Sequence, residues 1–351
     1  MVRLAFVYFI MDDAGSAQDI RNYVRIARTL GHEISVYGPQ EVRSPYNYAR
    51  NLENTDVVVF VFEWTTQLRF GDHLDLARII DKVPRNRRVV IDCDGNYNDA
   101  ITINGDYNHR DAASSAAWRA ICDSLSDKIC QPTLHPRCPN VRPFFFHGYD
   151  PAWERPLDFD TKEFGMVYVG HSKFRWLPMH RVLRAIEAIG GSVGRIALVG
   201  HGWDALPEWA GPMQMEDAYY TNLAYMRRLG VEIVPPIPSD QVIHWMSKGI
   251  FNPVIYRPLF EHLQLVTCRT FETPGAATVP LFGLNQDYVT EIYGDAAAEL
   301  VLPDDRPEEK IADIMRRPGH YARIVACIRR QLAEKHSYAA RLSQLIEIAH
   351  A

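Results

Sequence analysis

The residues best suited to chemistry fall in three short stretches. The first is Thr267-Cys-Arg-Thr-Phe-Glu-Thr-Pro-Gly-Ala-Ala-Thr-Val-Pro280. Arg269 and Glu272 share one face of a helix that begins here. Thr267 or Thr270 can cap that helix, and Pro274 is expected in its opening turn. Gly275, Ala276 and Ala277 carry almost no side chain, so backbone or ligand can come close. A carboxylate beside such backbone suits the paired hydroxyls of a ribose or sugar; an ordinary helix start with an Arg–Glu surface pair is the alternative. The second stretch is Gly170-His-Ser-Lys-Phe-Arg175. Amides at a glycine turn before a helix suit a diphosphate, and Lys173 and Arg175 add charge-assisted bonds. A solvated loop with two surface cations is the plain alternative. The third is Asp92-Cys-Asp-Gly-Asn-Tyr-Asn-Asp99, followed by Asp106, Tyr107, Asn108 and His109. Asp92 and Asp94 read as a metal-binding DxD, as carboxylates that orient hydroxyls or take a proton, or as turn and cap formers. His147, His171 and His201 each neighbour a glycine in a loop, and none carries a role by itself.

These stretches need strand ends to hold them. Leu4 to Ile10 is a near-continuous apolar run, as in a strand buried on both faces. Asp19 to Leu30 has helical spacing and stops at Gly31. Strands follow at 33–37, 56–62 and 88–91, with helical segments between. Alternation of this kind predicts a doubly wound parallel α/β sheet, whose ligands bind at the carboxyl ends of strands. The loops after Ile10, Phe62 and Ile91 therefore carry most weight. Pro143, Pro151 and Pro156 cluster near an interdomain crossing at 150–162. The rhythm then repeats: strands at 166–169, 196–199 (before Gly200-His201), 231–234 and 252–256, and long helices from Glu308 onward. The expected division is 1–155, 162–330 and a last helix at 331–351 that crosses back to the first domain.

With 47% hydrophobic and 23% charged residues, the composition is that of a globular protein with real cores. A net charge of −5 argues against nucleic acid as a general partner. No apolar run is long enough to span a bilayer. The cysteines form no CxxC pair, which fits reduced thiols in the cytoplasm.

The second half resembles the CgeB-like, spore-maturation group of glycosyltransferases. The likeness rests on Tyr168-Val-Gly through Arg175, on Phe251-Asn-Pro through Arg269-Thr-Phe-Glu272 and Pro280, and on Glu308 to Leu345 with His336-Ser-Tyr and Arg341. It implies a GT-B fold, two Rossmann-like domains facing across a cleft, with the C-terminal helices packed across the outside. It also implies transfer of a sugar from an NDP-sugar donor to an unidentified acceptor, with no metal and no separate cofactor. Gly170, His171, Lys173, Arg175, Gly200, His201, Arg269, Thr270 and Glu272 would hold the donor, Glu272 at the ribose. Lys173 and Arg175 would steady the leaving diphosphate, Asp94 or Asp92 would address the acceptor, and Gly15 would line the cleft floor. The related larger family carries a second glutamate where this chain has Gln264, which leaves retention or inversion open. An epimerase or hydrolase on the same scaffold, or a non-catalytic nucleotide-sugar-binding protein, are the alternatives.

Overall fold

The structure is a computed structural model that describes residues 1–8, 15–37, 52, 54–63, 82–190, 192–212 and 214–351. The first half carries β1 (Arg3–Val7), α1 (Gly15–Thr29), β2 (Glu33–Tyr37), β3 (Val57–Phe62), β4 (Arg88–Asp92), a hairpin of β5 (Thr102–Ile103) and β6 (Asp106–Tyr107), α2 (Ala112–Leu125), β7 (Ile129–Gln131) and β8 (Val141–Pro143). Its sheet is all parallel, in the order β2-β1-β3-β4-β7-β8. β3, Val-Val-Val-Phe-Val-Phe, is buried along its whole length. Val57, Val59 and Val61 join the core on one face, and Val58, Phe60 and Phe62 the core on the other. That is the two-sided burial an uninterrupted apolar run calls for.

The second half carries β9 (Phe164–Val169), α3 (Trp176–Ala188), β10 (Ile196–Val199), α4 (Leu223–Arg228), β11 (Val231–Val234), α5 (Val242–Ser247), β12 (Gly249–Val254), α6 (Pro258–Leu263), α7 (Cys268–Gly275), β13 (Val279–Phe282) and α8 (Gln286–Tyr293). Its sheet is again parallel, ordered β11-β10-β9-β12-β13. Three helices close the chain: α9 (Pro307–Arg316), α10 (Pro318–Lys335) and α11 (Tyr338–His350). α11 lies on the first sheet, where Tyr338, Leu342, Leu345, Ile348 and Ala349 join the core of Leu4, Phe6 and Val36.

The two passages between the halves run side by side. Tyr149 N–H donates to the His336 carbonyl at 2.8 Å, and Tyr338 N–H donates to the Tyr149 carbonyl at 3.2 Å. A side chain at Gly148 would sit 2.9 Å from the Tyr338 ring, so only glycine lets the strands approach this closely. Arg329 of α10 is buried here, and its guanidinium is satisfied by the carbonyls of Pro274, Arg155 and Gly275 at 2.7, 2.8 and 3.0 Å.

α7 corrects one expectation. Pro274 stands in its last turn rather than its first. The missing N–H leaves the Thr270 carbonyl without its helical partner, and the Tyr293 hydroxyl takes that place at 2.8 Å. The strand expected to reach Ile10 ends at Val7, and Phe9 and Ile10 lie outside the described residues.

Candidate active site

A cleft of about 660 Å³ opens between the carboxyl ends of the two sheets. One wall comes from the second half. The glycines after β9 and β10 press together: a Cβ on Gly200 would lie 2.5 Å from the Gly170 oxygen, so the two loops can approach this closely only with glycine. Gly170, His171, Lys173, Arg175, Gly200, His201, Arg257 and Arg269 all line this wall. Arg175 donates from Nη1 to His171 Nδ1 at 3.1 Å. Burial, with Arg175 and Lys173 close by, holds His171 well below the usual imidazole range. It is therefore neutral, and its Nε2–H is left to donate. Burial, then Arg257, pulls the Lys173 ammonium down to about 8. The Arg269 Nε donates to the Val169 carbonyl at 2.8 Å, and its Nη1 pairs with Glu272. Cations packed this tightly repel one another, so an anion placed among them is strongly favoured.

The facing wall comes from the first half: Gly15, Gln18, Glu63, Asp94, Asn96, Asn104, Tyr107, His109 and His147. Glu63 directly follows β3 and accepts from the Ser16 N–H at 3.0 Å, at the start of α1. Burial pushes its carboxyl up to about 7, against the lowering pull of His147. His147 Nδ1 lies 2.6 Å from Asp19 Oδ2, and Tyr338 donates to Asp19 Oδ1 at 2.6 Å. The two walls are tied at one edge. Asp106 of β6 is fully buried and receives Arg257 Nε at 2.8 Å and the Leu259 N–H at 3.0 Å.

Three expected site residues stand outside the cleft lining. Asp92 is fully buried beneath its own loop, where it accepts from the N–H groups of Asn96 and Tyr97 at 3.0 and 2.7 Å and from Gln131 at 2.8 Å. Burial raises its carboxyl to about 6. It shapes the turn that presents Asp94, and it is not among the residues that line the cleft. Thr270 is buried in the first turn of α7, where its hydroxyl accepts from the Thr267 N–H at 3.3 Å and meets Tyr256. Glu272 is also fully buried: Oε1 accepts from Gln18 of the first half at 2.8 Å, and Oε2 takes Arg269. Asp94, Lys173, Arg175, Gly170, His171, Gly200, His201 and Arg269 do come together in the cleft.

Sequence reasoning passed over Gln18, Glu63 and Arg257 and assigned His147 no role. Glu63 and Arg257 had a signal, since each stands just past the carboxyl end of an apolar strand. Gln18 and the Asp19–His147 pair had none, because their partners lie more than a hundred residues away. Among the described residues, no three His, Cys, Asp or Glu side chains form a group able to hold a metal ion. Nor is any helix among them long and apolar enough to cross a membrane.

Residues 176–347 match the model of the glycosyl transferase-like family. No curated protein matches the chain. Solved structures do, over nearly their whole length. An α-glucosyltransferase in complex with UDP and a 13-mer DNA with a central A:G mismatch is 11% identical, with 100% of each chain covered and a TM-score of 0.63. T4 phage BGT with its UDP-glucose substrate is 11% identical, with 99% of each chain covered and a TM-score of 0.53. T4 phage BGT with UDP and Mn2+ is 12% identical, with 100% of each covered and a TM-score of 0.55. At such identities the likeness fixes the fold, which is the GT-B arrangement. The fold is compatible with the family match, which is to glycosyl transferase-like proteins over residues 176–347.

Proposed function

We propose that the protein moves a sugar from a nucleoside-diphosphate sugar, UDP-glucose being the first candidate, onto an acceptor hydroxyl bound against the first half of the chain. The observation that carries this is the asymmetry of the cleft. Lys173, Arg175, Arg257 and Arg269 line one wall, and Glu63, Asp94, Asn96 and His147 the other. Cations at the ends of β9 and β12 meet the charge that grows on a departing diphosphate, and the neutral His171 adds an N–H donor. The acceptor wall offers groups that accept hydrogen bonds from hydroxyls. The cationic wall can neutralise the diphosphate without a metal ion, so donor binding is expected to persist in chelator. We also place the chain in the CgeB-like branch, on the Arg269-x-Phe271-Glu272 stretch.

The test is a thermal-shift panel of UDP, GDP, dTDP, ADP and CDP and their common sugars, with EDTA, magnesium or manganese. A ligand that binds only the folded chain raises its melting temperature. A shift from one nucleotide, equal in EDTA and metal, supports the reading; a shift only with metal removes its metal-free part. No shift from any nucleotide ends it. Acceptors are then screened with the bound donor. DNA belongs in that screen, with and without an HMU base, because such DNA stands in the complexes of similar structures.

A further inference from the structure

We propose that His147 is the general base of the transfer, with Asp19 and Tyr338 as the residues that position it; this rests on the glycosyltransferase reading above. His147 lines the cleft together with Gly15, Glu63, Asp94 and Arg269, where the two halves face each other. Its Nδ1 is committed to Asp19 at 2.6 Å. Asp19 is itself 1% exposed and spends its second oxygen on Tyr338 at 2.6 Å. With Nδ1 committed to Asp19, Nε2 is the ring nitrogen left to take a proton, on a side chain that lines the cleft. A buried carboxylate on the far nitrogen fixes that tautomer and stabilises the imidazolium that forms when a proton arrives. A network that served only to join α1 to α11 would not need an imidazole on the cleft wall.

Electrostatics agree with the geometry. The charged groups facing His147 are Asp19 from α1, Glu63 from the end of β3 and Glu272 from α7. Burial pulls the imidazole down, but pairing with Asp19 and the two further carboxylates outweighs it and holds His147 above its ordinary value. The free base therefore prevails only on the alkaline side, and turnover rises with pH through this group.

The step balances as a single displacement. The acceptor O–H proton passes to His147 Nε2 while the oxygen bonds to the anomeric carbon. The bond from that carbon to the diphosphate oxygen breaks, and its electron pair leaves with the nucleotide toward Lys173, Arg175 and Arg269. The imidazolium then gives its proton to solvent. The anomeric configuration inverts.

The experiment uses the full chain with water as the acceptor and UDP-glucose, GDP-mannose, dTDP-glucose, ADP-glucose or CDP-glucose as donor. Diphosphate release is followed against pH, nucleoside-diphosphate affinity by calorimetry, and the first-formed anomer by NMR. His147→Gln is expected to lower release at saturating donor by about 100-fold or more, with affinity changed less than about twofold. Asp19→Asn removes the anion and moves the rising limb to lower pH. Tyr338→Phe removes a donor that tempers Asp19 and moves the limb to higher pH. Should Asp19→Asn not fold, His147→Gln and Tyr338→Phe decide. His147→Gln at the parent rate with the limb in place, or a retained anomer, overturns the assignment. A parent protein that binds nucleotide yet releases none also overturns it, since a base on the cleft wall activates a water bound in the acceptor's place. A parent protein that binds no nucleotide overturns the glycosyltransferase reading itself and removes this inference with it.

Discussion

The two walls of the cleft are built in opposite ways. The wall from the second half gathers His171, Lys173 and Arg175 from one six-residue loop, and its glycines stand at consecutive strand ends. The wall from the first half collects Gln18, Glu63, Asp94 and His147 from four separate places along the chain. The first is a cationic surface suited to an anion of constant shape. The second is an acid–base surface whose parts are oriented by partners beneath it. A donor diphosphate is the same in every reaction of this class, whereas the acceptor is not, and a compact loop is enough for the constant part.

The largest expected effect tests whether the walls are truly separate, because Arg257 belongs to both. It lines the donor wall, and it neutralises Asp106, which is fully buried in the hairpin of the acceptor side. Arg257→Ala leaves that carboxylate buried without its cation, which costs about 3–5 kcal/mol of stability by denaturant titration. Asp106→Ala in the Arg257→Ala background is expected to recover much of the loss, a coupling that a double-mutant cycle reads directly. Additive losses would mean that the pair does not tie the walls.

Lys173→Ala tests the donor wall. Removing one charge-assisted contact of about 1.5–3 kcal/mol weakens nucleoside-diphosphate binding by about 10- to 100-fold. The fold is expected to lose little, because burial, then Arg257, already pulls this ammonium down to about 8. The same group gives a pH signature. Above about 8 the lysine loses its charge, so affinity in the parent falls there, and in Lys173→Ala that fall disappears. An affinity unaltered by the substitution would remove Lys173 from the donor site.

Legibility follows the same division. The parallel strands could be read because most are apolar runs, and β2 and β10 fall where the pattern put them. The basic loop could be read because its residues are adjacent. Asp92 misled because a carboxylate at a strand end looks the same whether it faces a ligand or holds its own loop through Asn96, Tyr97 and Gln131. Only the direction of the side chain separates those cases, and one-dimensional spacing does not carry it. Pro274 misled for a related reason: the partner that makes it tolerable late in α7 is Tyr293, on another helix. The Asp19–His147–Tyr338 chain joins three distant segments and leaves no local trace.

Glu63 gives a stability prediction of opposite sign to an ordinary surface carboxylate. Its pKa rises from 4.5 to about 7 on folding, chiefly through burial. The folded chain therefore keeps a proton that the unfolded chain has released, and this contribution is full below about 4.5 and lost as pH rises to about 7. Glu63→Gln, which stays neutral, is expected to be more stable than the parent above that range by up to about 2–3 kcal/mol. Equal melting temperatures of variant and parent on the alkaline side would show that the carboxylate is already well solvated by the cleft.

The smallest effect concerns a hydrogen bond between the two halves at the cleft. Gln18 of the acceptor side donates to Glu272 Oε1, the oxygen a ribose hydroxyl would need. If Glu272 takes the ribose, it must first give up Gln18, and the two compete for the same lone pairs. Gln18→Ala should then tighten UDP binding by a few fold, since an exchange of one neutral-donor bond is worth about 0.5–1.5 kcal/mol. The comparison with dUDP sharpens this. A real ribose contact makes the parent prefer UDP over dUDP, and Gln18→Ala should widen that preference. Because Glu272 is also buried against Arg269, Glu272→Ala perturbs stability together with binding and cannot answer the question by itself. Equal affinity for UDP and dUDP, in parent and in Gln18→Ala alike, would leave Glu272 as the internal counter-ion of Arg269. The donor wall would then owe its selectivity to the diphosphate alone.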